Sequence, residues 1–160
     1  MIDPPSIAAI RDCLAIIRDG DPPDAAGLVR ALDRLVVAVH DTPEGDPADE
    51  ETSPPKHDYF GEVVRLQERF PELGSFSVVW PLDPDHAVLT VTAEDALADI
   101  VGDLSDVLWR YENVSAGDAY WHLHLLFLEH WGVHLRELTF YLHFLLRERD
   151  MDEVDRTGIS

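Results

Sequence analysis

The chain has 160 residues, and its 32 Asp and Glu against 12 Lys and Arg leave it at −20 with His neutral. That length fits one domain, and a 46% hydrophobic content supplies a core, which excludes a wholly disordered chain. So acidic a surface repels nucleic-acid backbones and anionic membranes, and the single cysteine, Cys13, excludes a disulfide framework or a Cys-based zinc module within one chain.

The start, Met1 to Pro5, has no basic leader followed by an apolar run, so no signal peptide is expected. Ser6 reads as the N-cap of a first helix, with Ile7, Ile10, Leu14 and Ile17 at helical spacing. Gly20 and Pro22-Pro23 close it. A second helix is predicted from Asp24 to about His40, striped by Leu28, Leu32, Leu35, Val36 and Val39. Two short-linked amphipathic helices predict an antiparallel hairpin. From about 41 to 58 the chain is rich in Pro and acids and lacks large apolar residues, so a mobile loop is expected.

Tyr59, Phe60, Val63, Leu66 and Phe70 predict a third helix, stopped by Pro71 and Gly74. Phe76 to Trp80 is β-prone, and Val88 to Thr92 alternates, which allows one short hairpin at most. Asp83, Asp85 and His86, in the Pro-rich connection, read as turn residues. Thr92 with Asp95 forms a capping box that opens a helix to about Glu112. Asp118 can cap a long final helix to about Arg149, followed by a frayed tail at 150–160. That last helix is apolar over so wide an arc that it is expected at the centre of the bundle. The expected fold is a single-domain all-α bundle of about five helices. The longest strongly apolar run, Leu123 to Leu128, is far short of a membrane span, so a cytoplasmic protein is expected.

On the fourth helix, Leu97, Ile100, Val101, Leu104 and Val107 share one face, and Asp95, Asp99, Asp103 and Asp106 fall opposite. Acids in that position ordinarily face water. Yet Asp95, Asp99 and Asp103 repeat at i, i+4, i+8, and a cation or a basic partner would relieve their repulsion. A strip of Ala98, Gly102 and Ser105 beside them would let the last helix approach closely. On that helix His130 and His134 lie one turn apart, a spacing at which two imidazoles can share one metal ion. Asp99 and Asp103 could add oxygen ligands, a set suited to Zn, Mn or Fe rather than Ca. The alternative is that both histidines are core residues hydrogen-bonded to carbonyls, carboxylates or Tyr. Asp95 and His143 are further polar candidates, and Asp95 or His124 could serve as a base if the ion kept an open position. Gly132, inside the helix, calls for a kink or a close backbone approach.

The run Asp95-Ala96-Leu97-Ala98-Asp99-Ile100, with Asp103-Leu104, Trp121, Phe127, His130-Trp131-Gly132-x-His134 and Leu142-His143, resembles the bacterial family catalogued as domain of unknown function 5063. The resemblance spans about residues 70–146. It implies a small, mainly helical bacterial protein with no established activity, substrate or cofactor. The family's acidic helix usually carries a second Asp where Ala96 stands and a Tyr where Val101 stands. An aromatic and an Arg of its last helix are here Leu123 and His124. A polar site shared with that family would use Asp95, Asp99, Asp103, His130, His134 and His143.

No phosphate loop, nucleophile elbow or zinc-protease motif is present, so no enzyme activity is indicated. The leading expectation is a non-enzymatic acidic module that binds another protein, or a second copy of itself, through exposed aromatics such as Trp80 and Trp109. The alternative is a metal-binding protein with a His/Asp site between the last two helices. Apart from such an ion, no cofactor is expected.

Overall fold

The computed structural model describes residues 2–49 and 52–158. Helix α1 (Pro5–Arg18) starts without a side-chain cap: Pro4 precedes it and Pro5 opens it. Proline's fixed φ suits a first turn, and its missing N–H removes a donor that a cap would serve. Ser6, expected as the cap, is therefore a buried residue of that turn. Helix α2 (Ala25–Asp41) does begin at Asp24, whose carboxylate accepts from Gly27 N–H at 2.7 Å. The predicted stripes Ile7, Ile10, Ile17 and Leu28, Leu32, Leu35 meet between α1 and α2, each side chain at most 1% exposed.

Asp58 caps α3 (Tyr59–Arg69) through Gly61 N–H. Arg69 reaches back to the carbonyls of Ile16, Asp19 and Gly20, which α1 leaves without helical partners at its end. Only part of α3's expected stripe is inside: Leu66 is buried, but Phe60 is 81% exposed.

The anticipated hairpin is β1 (Ser75–Val78) against β2 (Leu89–Thr92), antiparallel with Phe76 opposite Val91. Phe76 stacks on Tyr141 at 4.5 Å, and the Tyr141 hydroxyl donates to the Leu73 carbonyl. Asp83 is a turn residue, accepting from the Asp85 and Ala87 N–H groups at 3.0 Å each.

β2 runs directly into α4 (Ala93–Asn113). Ser115, rather than Asp118, caps α5 (Ala116–Leu126), which continues through a π-helical turn (Phe127–Trp131) into α6 (Gly132–Thr157). Backbone angles stay right-handed helical across both junctions, so the bundle has five helical rods. Among the described residues, no helix is long and apolar enough to cross a membrane.

Two expectations about the last rod are corrected. The centre of the bundle is α4, which packs on α1, α3, α5, the π turn and α6. The last rod instead leaves Leu128 72% and Phe140 68% exposed, because neighbours cover only one of its faces. The helix also passes Arg149 and ends at Thr157, with Gly158 at φ +63° as a left-handed cap. The side chains from Arg147 to Gly158 are all exposed, so local helix preference rather than packing carries this stretch. The last two residues of the expected tail, Ile159 and Ser160, lie outside the described residues.

The 41–58 segment beyond Asp41 has no regular structure where it is described, and Glu50 and Glu51 lie outside the described residues. It is nonetheless tethered. Gly45 lies so close to α5 that a Cβ there would sit 2.0 Å from the Gly117 carbonyl oxygen. Ala48 N–H donates to Asp118 Oδ1 at 2.9 Å. Asp118 is 2% exposed and also accepts from Arg110 Nη1 at 3.0 Å. These contacts use backbone and glycine, which hydrophobic pattern does not register.

Candidate functional site

The Thr92 hydroxyl accepts from Asp95 N–H and donates to Asp95 Oδ2 at 2.8 Å. Tyr59, the first residue of α3, donates its hydroxyl to Asp95 Oδ1 at 3.2 Å. Both oxygens of Asp95 thereby accept hydrogen bonds from side chains other than the two histidines. The next two acids down α4, Asp99 and Asp103, do not face open water. They line a groove between α3 on one side and the π turn and α6 on the other. The Ala98–Gly102 strip opens toward α3 and His57, not toward the last helix as expected.

Gly132 explains the opposite wall. A Cβ at this position would lie 2.1 Å from the Phe127 carbonyl oxygen and 2.7 Å from Phe127 Cδ2. Only glycine allows the widened turn to close at that point. Each extra residue in a turn rotates the remainder of the helix by roughly 100°. His130 lies within this turn and His134 just beyond it, and both meet α4.

There, His130 Nδ1–H donates to Asp103 Oδ2 at 2.7 Å. The other ring nitrogen, Nε2, lies 3.8 Å from Asp99 Oδ1. His134 Nε2 lies 3.3 Å from Asp99 Oδ2. The two imidazoles meet edge-on at 4.8 Å between centroids. One donor atom each from Asp99, His130 and His134 lie within 4.8 Å of one another. Asp103 stands behind His130 instead of joining the three. His134 Nδ1 is buried without a hydrogen bond among the described residues, with Glu137 Oε2 at 3.9 Å.

Burial raises both carboxyl groups above the ordinary range. For Asp99, His134 and His130 oppose the rise and Asp95 adds to it. For Asp103, the His130 hydrogen bond opposes it and Asp106 and Asp99 add to it. The Tyr59 phenol is pushed up by burial and by the charges of Asp99 and Asp95, so it stays protonated. The groove thus holds two acids whose charged form burial disfavours, beside two imidazoles with ring nitrogens within 4 Å of their carboxylates.

The remaining sequence candidates lie elsewhere. His143 is exposed and lines a separate depression with Val29, Asp33 and Arg136. His124 donates Nε2–H to the carbonyls of Thr42 and Pro43 at 3.0 and 3.2 Å, tethering the loop, so it is no base for this groove. His57 donates to Asp106 at the groove's far end. Nothing in the sequence spacing marked Tyr59, His57 or the cationic residues Arg18, Lys56 and Arg65 as groove residues, since they come from separate segments.

A crystal structure of protein BF1032 from Bacteroides fragilis is similar to this chain, with a TM-score of 0.70 over 88% of this chain and 89% of that one. Sequence identity is 15%. The likeness is one of fold. No family model matches the chain, and no curated protein matches it.

Proposed function

We propose that the protein binds one divalent first-row transition-metal ion through Asp99, His130 and His134. The observation that carries this is the convergence of their three donor atoms within 4.8 Å. Four-coordinate zinc needs its ligand atoms roughly 3.3 Å apart, given bonds of about 2.0–2.1 Å, so small side-chain rotations suffice. Two imidazoles and one carboxylate suit Zn, Fe or Mn, and three protein ligands leave a position for water or a further ligand. Asp103 holds the His130 ring in place, which supports it as an outer-shell residue and not the fourth ligand. No catalytic residue is assigned.

Titration of the purified protein with Zn(II) or the coloured probe Co(II) tests this. One ion per chain is expected, with binding lost in Asp99→Ala and His134→Ala. Asp103→Ala should keep the stoichiometry and weaken binding by about 10–100-fold. A His130→Ala/His134→Ala double variant that binds as well as wild type would end the proposal.

A second reading, an acidic module that binds another protein, is favoured by the exposed apolar surface of the hairpin and α6. Trp80 is 58% exposed, and Leu82, Phe140 and Phe144 are also exposed, whereas Trp109 is half-buried. Such patches commonly mark contact surfaces. The two readings are compatible. The bacterial family resemblance and a cytoplasmic location remain part of this proposal.

A further inference from the structure

A cleft of about 340 Å³ leads from His130 and Asp99 along α4 to α3. Its floor is Ala98 and Gly102, the smallest side chains available, and nothing lies closer than 3.9 Å to where a Gly102 Cβ would be. The open floor is what gives the cleft its volume, at the lower end for a small-molecule site.

The wall opposite the histidines carries Arg18, Arg65 and Lys56. Lys56 is the only lysine in the chain. Arg18 and Arg65 both pair with the buried Glu62, at 3.1 and 2.8 Å, so this trio keeps one net positive charge. Lys56 adds another, and no ion pair of the described residues engages it. Asp58, Asp103 and Asp106 also line the cleft and keep their charge, although each has a hydrogen-bond donor: Asp58 caps α3, Asp106 accepts from His57, and Asp103 accepts from His130. In a chain of net charge −20, three of the 12 cationic residues converge on one small cleft.

On the reading that an ion sits at Asp99, His130 and His134, we infer that this cleft takes a small molecule bearing an oxyanion, a carboxylate or a phosphate. One oxygen would complete the ion's coordination. The rest would lie over Ala98 and Gly102, with its charge against Lys56 and Arg65. Five carboxylates of the lining, Asp58, Glu62, Asp99, Asp103 and Asp106, outnumber its three cations, so the ion-free cleft repels an anion. The ion's two charges balance that excess, and Lys56 and Arg65 then give the far end its local attraction.

Malonate and methylphosphonate are the probes, added to wild-type protein with and without one equivalent of Zn(II), followed by calorimetry. Binding of at least one anion to the ion-loaded protein is expected, with none to the ion-free protein. Malonate alone would assign a carboxylate, and methylphosphonate alone a phosphate. Lys56→Gln should weaken anion binding about tenfold, the worth of a charge-assisted hydrogen bond, and leave ion affinity unchanged. Gly102→Leu should block the anion. In the ion-loaded state, a bound anion should also slow acetylation of Lys56. If the ion binds but neither anion does, or Lys56→Gln binds both as wild type does, the inference falls and the metal reading stands. If no ion binds, both fall.

Discussion

Replacing Gly132 by Ala should cost about 1–3 kcal/mol of stability and abolish tight ion binding. In an ordinary helix the same change would gain about 1 kcal/mol, because Ala is the better helix former. The sign reverses here because the new methyl would fall 2.1 Å from the Phe127 carbonyl oxygen and against the Phe127 ring. Backbone cannot move aside cheaply. Relief requires the π turn to reopen or to resolve into α-helix, shifting the register of everything on one side of it. Trp131, fully buried within that turn, would lose its packing, and His130 would leave Asp103. Gly102→Ala is the internal control. Its Cβ meets nothing closer than 3.9 Å, so it should be stabilised by about 1 kcal/mol and keep the ion. Denaturant unfolding and Zn(II) titration of the two variants check this, and a stable, ion-binding Gly132→Ala protein would contradict the account of the turn.

Arg110→Ala should be the most destabilising of the changes considered, at about 3–5 kcal/mol, because it leaves a buried carboxylate without its cation. Asp118 is 2% exposed, and the Arg110 side chain is 14% exposed beside it. Burial alone would raise the Asp118 carboxyl. The Ala48 N–H, the Arg110 guanidinium and nearby His122 outweigh burial and hold it below the ordinary carboxylate range. A depressed folded-state pKa stabilises the protein above the unfolded value of about 3.9, and this contribution is lost as pH falls through the folded value. Wild type should therefore lose this contribution on acidification below about pH 4. Without Arg110 the carboxyl no longer favours its charged form, so the gap between variant and wild type should narrow over the same range. Unfolding curves from pH 7 to pH 3 measure both effects. An Arg110→Ala protein within 1 kcal/mol of wild type at pH 7 would show that the pair does not hold the loop and α5 to α4.

The parts of this fold legible in the sequence were those decided locally. Asp24 and the Thr92–Asp95 box start their helices where cap chemistry says they should, and the α4 stripe from Leu97 to Val107 is buried as its period requires. The burial of the acidic face was not legible. A helical wheel treats one helix alone, and α4 has neighbours on nearly every side, which puts Asp99 and Asp103 into a groove. Apolar density misled in the other direction, since Leu128 and Phe140 belong to a rich apolar run and lie exposed. His130, His134 and Asp99 could be named because i, i+4 spacing reports a shared face within one helix. Tyr59, Lys56 and Arg18 could not, because only the packing of α1 and α3 on α4 brings them to the groove. The tethering of the loop is illegible for a similar reason: its bonds run from backbone at Ala48, Thr42 and Pro43 to side chains more than sixty residues away.

The most direct test of the central proposal is the melting midpoint of wild type and His134→Ala, each measured with Zn(II) at about a hundredfold excess over the dissociation constant and then with chelator. An ion that binds only the folded chain adds about 2.7 kcal/mol under those conditions. For a domain of this size that raises the midpoint by about 5–10 °C. The account predicts this rise in wild type, its reversal by chelator, and no rise in His134→Ala. An unchanged wild-type midpoint, or an equal rise in the variant, would leave Asp99, His130 and His134 as a packed ion-pair cluster and not a metal site.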